Sequence, residues 1–473
     1  MCHNSRMNAK HEHKQSHRKH SPAPAKGDKK RSEKQTRHAK ANTQVKTGKK
    51  PVSKARNSKH AQGPKSQLCP VAAECGACSV IHVPYAEQLA NKQKRIVDLF
   101  SDLADESCML DPIAGMDEPL HYRNKITSPF APGRAQKGGR GGQERRHEVL
   151  CGMYAAHSHR IIPADTCAVE NEIGRKVIAA IKAIMGKYGI EPYNEDIGTG
   201  FMRHAIVRVG HESGEVLVTL VTNSKQFPGA KNFARELKRR CPAVTTIVQN
   251  VNLRQTNVIL GQEEHTIYGP GFIIDTLCGL SFRISSHSFY QVNSKQTEVL
   301  YRTAVQFAGL NDGAESGRND SITVLDAYCG TGTIGLIAAA ASGRAQVIGV
   351  DSVDSAIRDA RANAAHNGIK NAEFVTADAG AFMKECAAQN RTIDVLMMDP
   401  PRAGASEDFL DAVNVLSPGR IVYISCNPTT QARDVEYLRT FGYRPVRIRP
   451  VDMFPHTDHV ENVVLLEREA KLS

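Results

Sequence analysis

The stretch Val324-Leu325-Asp326-Ala327-Tyr328-Cys329-Gly330-Thr331-Gly332-Thr333-Ile334-Gly335 reads as a buried strand running into a glycine-rich turn and then a helix. Glycines at such a turn let the backbone approach a ligand, and the helix that follows offers N–H groups with no partner of their own. Downstream, apolar runs recur at Gln346 to Val350, Val395 to Met398, Ile421 to Ser425 and Val460 to Glu467, with helical stretches between several of them. That alternation predicts an α/β fold, a Rossmann-like, doubly wound sheet over residues 285–473. Ligands of such sheets bind where strands end at their carboxyl edge, and the quoted turn falls there.

The second strand of the series ends at Asp351, 25 residues beyond Asp326. A carboxylate at that point can accept hydrogen bonds from both hydroxyls of a ribose. The turn itself is Asp-x-x-x-Gly-x-Gly, not the Gly-x-Gly-x-x-Gly that cradles a pyrophosphate. The pattern therefore favours S-adenosylmethionine over NAD, and Asp351 argues against a glycine turn without a ligand.

Three short sequences close this half of the chain: Asp399-Pro400-Pro401-Arg402-Ala403-Gly404, Ser425-Cys426-Asn427-Pro428, and Phe454-Pro455-His456-Thr457-Asp458-His459-Val460-Glu461. If the fourth and fifth strands are neighbours, Asp399 and Cys426 lie side by side over the methyl donor. Carbon 5 of uracil is too electron-poor to attack a sulfonium methyl. A thiolate added at carbon 6 makes the ring an enolate that is nucleophilic at carbon 5. The carbon 5 proton must then leave before the thiolate can, which requires a base, and Glu461 is the candidate. Asp399 would hold the pyrimidine edge, and Arg402 or Asn427 would stabilise the enolate oxygen. Each residue also has a plain reading, Cys426 as a buried filler and Glu461 as a surface carboxylate. Asp-Pro-Pro also occurs in methyltransferases acting on amines, but those usually carry an aromatic where this chain has Arg402. DNA cytosine-5 enzymes place their nucleophile in a Pro-Cys pair after the fourth strand, where this chain has Asp-Pro-Pro.

Cys69, Cys75 and Cys78 form a compact C-x5-C-x2-C group that needs a fourth partner, for which Cys108, Cys151 and Cys167 are available. On spacing alone, a four-cysteine zinc site and an iron–sulfur cluster are both open.

Taken together, Asp399-Pro-Pro-Arg-x-Gly, Ser425-Cys-Asn-Pro-x-Thr-x-x-Arg-Asp and Phe454-Pro-x-Thr-x-His-Val-Glu resemble the signatures of the RNA uracil-5-methyltransferase family, which includes the bacterial large-subunit ribosomal and transfer RNA enzymes. The similarity runs from about Cys69 to Arg468. It implies Cys426 as nucleophile and Glu461 as base. It also implies cofactor contacts at Gln291 (within Ser288-Phe289-Tyr290-Gln291-Val292-Asn293), Tyr328, Asp351 and Asp399, with Gly330 and Asp378 counted beside them. Relatives often carry Glu where this chain has Asp351. Resemblance to the ribosomal members implies a [4Fe-4S] cluster on Cys69, Cys75, Cys78 and Cys167, and a 23S ribosomal RNA substrate. A transfer RNA substrate is the nearer alternative. A non-catalytic RNA-binding assembly factor is the alternative of another class, and intact Cys426 and Glu461 argue against it.

The rest of the chain reads more plainly. Residues 1–68 hold 19 Lys or Arg against Glu12, Asp28 and Glu33, whereas the remainder carries 43 basic and 46 acidic residues, so the whole excess of +13 lies in the tail. With almost no large apolar side chains the tail, residues 1–66, is expected to be disordered and suited to loose phosphate contact. Many relatives begin instead with a small β-barrel. A strand-rich central domain is expected over 67–90 and 120–284, and a helix at 91–119 packed on the methyltransferase domain. Tyr122-Arg123-Asn124-Lys125, Arg203-His204 and the Gly133–His147 loop are candidate RNA contacts. No apolar run is long enough to span a bilayer, and 12 uneven cysteines do not suggest a secreted scaffold. A soluble, monomeric, cytoplasmic protein without membrane partners is the expectation.

Overall fold

The computed structural model describes residues 67–135, 146–156, 158–310 and 321–469. The basic tail and most of the glycine-rich loop lie outside the described residues. The chain order is α1 (Tyr85–Phe100), β1 (Met109–Leu110), β2 (Lys125–Ala135), β3 (His147–Tyr154), β4 (Ile161–Pro163), α2 (Glu172–Tyr188), β5 (Met202–Val209), β6 (Val216–Thr222), α3 (Ala230–Arg240), β7 (Val244–Val251) and β8 (Glu263–Tyr268). The hairpin β9 (Ile273–Leu277) and β10 (Leu280–Ile284) then leads to α4 (Ser294–Phe307). The catalytic half follows as β11 (Ile322–Ala327), α5 (Thr333–Ala341), β12 (Ala345–Asp351), α6 (Asp354–His366), β13 (Ala372–Thr376), α7 (Ala379–Ala388), β14 (Val395–Met398), α8 (Glu407–Leu416), β15 (Arg420–Ser425), α9 (Pro428–Arg439), β16 (Tyr443–Val451) and β17 (Glu461–Arg468).

Two large sheets result. The eight-stranded one has the order β1-β16-β17-β15-β14-β11-β12-β13. Its strands β11 to β15 are mutually parallel and β17 runs antiparallel to both β15 and β16. Strand order reverses at β11, whose neighbours are β12 on one side and β14 on the other. A crevice opens at such a switch point, and the motif-bearing ends of β11, β14 and β15 all face it. Apolar side chains cover both faces: Val324, Leu336, Val347 and Ile424 belong to one core, and Leu325, Ile348, Leu396 and Tyr423 to the other. Successive residues thus alternate between cores, which is why these strands read as continuous apolar runs.

The seven-stranded sheet, β4-β3-β2-β5-β6-β7-β8, packs α2 and α3 on one face around Ile126, Ile181, Val207 and Phe233. Asn171 caps α2 by accepting from the N–H groups of Ile173 and Gly174, and Gly189 ends it in a left-handed turn. The helix α1 buries Gln88, Lys92, Ile96 and Phe100, a stripe at four-residue intervals, with Ile96 and Phe100 entering one core of the large sheet. Lys92 on that stripe forms an ion pair with Asp452 at 2.6 Å.

Candidate active site

The turn after β11 is built for close approach. Tyr328, Gly330 and Gly332 have φ of 62°, 54° and 76°. A Cβ placed on Gly330 would meet nothing within 4 Å, so the backbone there fronts open space. The Gly330 N–H donates to Asp351 Oδ2 at 3.0 Å, and Val353 N–H to Oδ1 at 2.8 Å, which fixes the carboxylate at the end of β12 beside the turn. Beneath it, buried Asp326 accepts from the Gly335 N–H at 2.9 Å; burial, and then the charges of Asp399 and Asp351, push its carboxyl up to about 7. Tyr328 packs against Phe409 with ring centroids 5.0 Å apart, and forms one wall. Asp378 is exposed and caps α7, accepting from Ala381 N–H at 2.9 Å. Asn124 Nδ2 donates to the Gln291 carbonyl at 3.0 Å and so ties the central sheet to the segment entering α4.

Strand register assembles the reactive groups. Met398 pairs with Tyr423 in the parallel ladder, so Asp399 and Cys426 emerge from neighbouring strand ends. Ser425 pairs with Asn462 in the antiparallel ladder, which sets Cys426 across from Glu461. Glu461 is buried, and desolvation followed by the charge of Asp399 pushes it up to about 8. Asp399 keeps a little exposed surface at the crevice floor, yet enough protein surrounds its carboxyl that desolvation lifts it to about 7. The half-buried Cys426 thiol is raised by desolvation and then by Glu461 and Asp399, while Arg402 lowers it. Three carboxyls and a thiol displaced from their ordinary ranges in one crevice mark a site of proton chemistry.

The loop bearing Arg402 is pinned from α9. Asn427 Nδ2 donates to the Arg402 carbonyl at 3.1 Å, so part of its donor capacity serves as a brace. Buried Asp434 accepts from Tyr423 Oη at 2.6 Å and from Ala405 N–H at 2.8 Å. Gly404, at φ 83°, leaves room for this, since a Cβ there would stand 2.6 Å from Asp434 Oδ2. Asp434→Ala orphans a buried hydroxyl and a backbone N–H and is expected to destabilise the fold by about 3 kcal/mol, read from the denaturant midpoint.

Sequence reasoning missed Tyr301. It is buried on α4 and its phenol faces Asp399, Gln291, Glu461 and Asp326; burial first, and then Asp399, hold it well above its ordinary range. It lies on the apolar stripe of α4 with Leu300, Ala304 and Val305, and nothing in that periodicity distinguishes it from a packing residue. Phe289 is missed too, an aromatic 73% exposed two residues before Gln291.

Several expected RNA contacts are corrected. Asn124, Arg203 and His204 are buried, and Arg203 Nη1 donates to the carbonyls of Asn252 and Arg254 while its guanidinium lies over Tyr193. These side chains hold the central sheet together. Tyr122 is buried as well, whereas Arg123 and Lys125 keep some exposure, Lys125 in register with Arg208 and pushed down to about 8 by burial and by that neighbour.

Cys69, Cys75, Cys78 and Cys167 line one otherwise mainly apolar pocket with Val71, Ile81 and Val169. Cys151 instead faces the α2 core and Cys108 packs against the large sheet. Among the described residues, no group of three or more His, Cys, Asp or Glu side chains has the arrangement that holds a metal ion.

Residues 278–469 match the family profile of the tRNA (Uracil-5-)-methyltransferases. The chain is 40% identical to an uncharacterized RNA methyltransferase of Halalkalibacterium halodurans over 84% of its own length and 82% of the relative. It is 39% identical to another from Oceanobacillus iheyensis, over 83% and 81%. Among solved structures it is similar to the Pyrococcus abyssi tRNA (uracil-54, C5)-methyltransferase in complex with S-adenosyl-L-homocysteine, at 28% identity and a TM-score of 0.65, covering 83% of this chain and 86% of that one.

Proposed function

Because the chain belongs to the S-adenosylmethionine-dependent RNA uracil-5-methyltransferase family, we propose that it methylates carbon 5 of a uridine in 23S ribosomal RNA through a covalent cysteine adduct. The single observation behind this reading is the register that sets Cys426 across from Glu461 with Asp399 on the adjacent strand end. Bound S-adenosylmethionine supplies an electrophilic methyl group. The open space over Gly330 and the fixed Asp351 carboxylate fit such a ligand, with Tyr328, Gln291 and Asp378 as further candidate contacts.

A uridine extruded from folded RNA enters the crevice, where Asp399 and Arg402 hold the pyrimidine. The Cys426 sulfur adds to carbon 6, and its electron pair moves through the ring to make carbon 5 nucleophilic. Arg402, the cation that lowers the thiol, favours the thiolate that begins the reaction. After carbon 5 is methylated, Glu461 takes its proton; the C–H electron pair restores the ring double bond and expels the thiolate. Exposed Phe289 offers a face on which a neighbouring base can stack.

The shared pocket supports a cluster on Cys69, Cys75, Cys78 and Cys167. Four thiols around one apolar hollow are a suitable donor set for a [4Fe-4S] cluster. Zinc on the same four thiols is the alternative, and iron and acid-labile sulfide analysis separates the two. Cys75→Ser is expected to remove the visible absorption and acid-labile sulfide of anaerobically purified protein and to weaken folding or RNA binding. Undiminished stability and RNA affinity in cluster-free protein would count against a structural role.

The similarity to the Pyrococcus abyssi enzyme favours a transfer RNA substrate as the second reading. Incubation with methyl-labelled cofactor and bulk RNA, followed by mapping of 5-methyluridine in ribosomal and transfer RNA from cells with and without the protein, decides between them. An RNA-binding protein without catalysis would transfer no label.

A further inference from the structure

The loop that delivers Glu461, residues 452–460, is gripped by α1 and by the residues that follow Cys78. Within it His456 has a φ of 67°, a left-handed conformation that a non-glycine residue keeps only when its surroundings impose it. Gln88 imposes it. The Gln88 Oε1 accepts from the His456 backbone N–H at 2.9 Å. Its Nε2 donates to the carbonyls of Val80 and Val83 at 3.1 and 2.8 Å and lies 3.2 Å from His456 Nδ1. A backbone N–H requires oxygen and two carbonyls require the amide nitrogen, so only one orientation of the Gln88 amide satisfies all partners. Two further bonds come from the cysteine segment: Val80 N–H donates to the His456 carbonyl, and Asp458 N–H to Ser79 Oγ, both at 3.1 Å.

We propose that Gln88, acting through His456, is a positioning residue for Glu461 in the proton-removal step, with Ser79 and Val80 part of the same brace. The inference rests on the reading of Glu461 as base. Glu461 is held between its β-pairing with Val451 and the His456 lock five residues earlier. A base displaced by a fraction of an ångström loses rate steeply. Cys426 and the cofactor-facing turn are carried by β15, β11 and β12, which the lock does not touch. Loosening it therefore slows release of the enzyme while leaving addition and methyl transfer in place.

The test is the amount of detergent-stable protein–RNA adduct that carries labelled methyl. Gln88→Met is expected to raise it about tenfold and lower turnover about tenfold, with KM for the cofactor within about twofold of the wild-type value. His456→Ala should do the same. His456→Asn should recover most of the release, because Asn tolerates the left-handed backbone that Ala resists and keeps the backbone N–H held by Gln88 Oε1. Wild-type turnover in Gln88→Met, or reduced turnover in a folded variant without added adduct, overturns the proposal. If Gln88→Met does not fold, the contrast between His456→Ala and His456→Asn decides: equal adduct in the two overturns the lock. Glu461→Gln is run alongside. No adduct there means the base assignment has failed, whereas adduct there and none in the Gln88 and His456 variants sinks the brace alone.

Discussion

Cys426→Ala abolishes 5-methyluridine formation, with turnover lowered by more than about 10⁴-fold. Without the sulfur no enolate forms, and a neutral uracil presents carbon 5 as part of an electron-poor double bond that does not attack a methyl donor. No other group in the crevice replaces it. Cys329, the thiol within the cofactor turn, has its side chain buried and is held far above its ordinary range by burial and by Asp326 and Asp351. The Asp351 and Gly330 positions stand on β12 and the β11 turn, so cofactor affinity in the variant should stay within about twofold of wild type by equilibrium dialysis. Loss of methylation with retained binding is the expected pair of results. Normal methylation by this variant would overturn the covalent mechanism.

Much of this site was legible in the sequence because its parts are local. A turn, a strand end and a capping sequence each carry their signature within a dozen residues, and strands alternating with helices place those ends on one edge. The strands at Val395 to Met398 and Ile421 to Ser425 were plain because both faces are buried. The strand β16, Tyr443–Val451, was not. It carries Pro445 and Pro450 among alternating arginines, with a bulge after Pro445, and is recognisable only once β17 and β1 flank it. The two-residue β1 was invisible for the same reason. Arg203 and His204 were misjudged because a charged pair in a strand reads as surface, while in the folded protein backbone carbonyls and the Tyr193 ring satisfy the guanidinium. Tyr301, Gln88 and Lys92 share a different difficulty. Each occupies a core position of a helix, and its polar tip meets a group that only the fold brings beside it: Glu461 for Tyr301, His456 for Gln88 and Asp452 for Lys92.

Glu461→Gln stalls the enzyme as a methylated covalent adduct and, at the same time, makes the folded protein more stable at alkaline pH. The first effect follows from the second step of the chemistry. An amide of the same size cannot take the carbon 5 proton, so the C–H electron pair stays in place and the thiolate has no means of leaving; labelled methyl should accumulate on a detergent-stable protein–RNA species while free product falls by more than about 10³-fold. The second effect follows from burial. The carboxyl ionises at an ordinary value of 4.5 once the chain unfolds, but only at about 8 in the folded protein. Between those values the folded state holds a proton that the unfolded state has lost, so stability falls as pH rises from about 4.5 to about 8 and levels off above. Asp326 and Asp399, both raised to about 7, act in the same direction. Glu461→Gln removes one of these three terms. Its melting temperature should match that of wild type near pH 4.5 and exceed it at pH 8, by an amount worth up to a few kcal/mol. In the wild-type enzyme the same titration slows release as pH drops below about 8, so the adduct fraction should rise toward acid pH. A variant less stable than wild type at pH 8 would mean that the carboxylate is paired, not desolvated. A variant that turns over normally would assign the proton to another base.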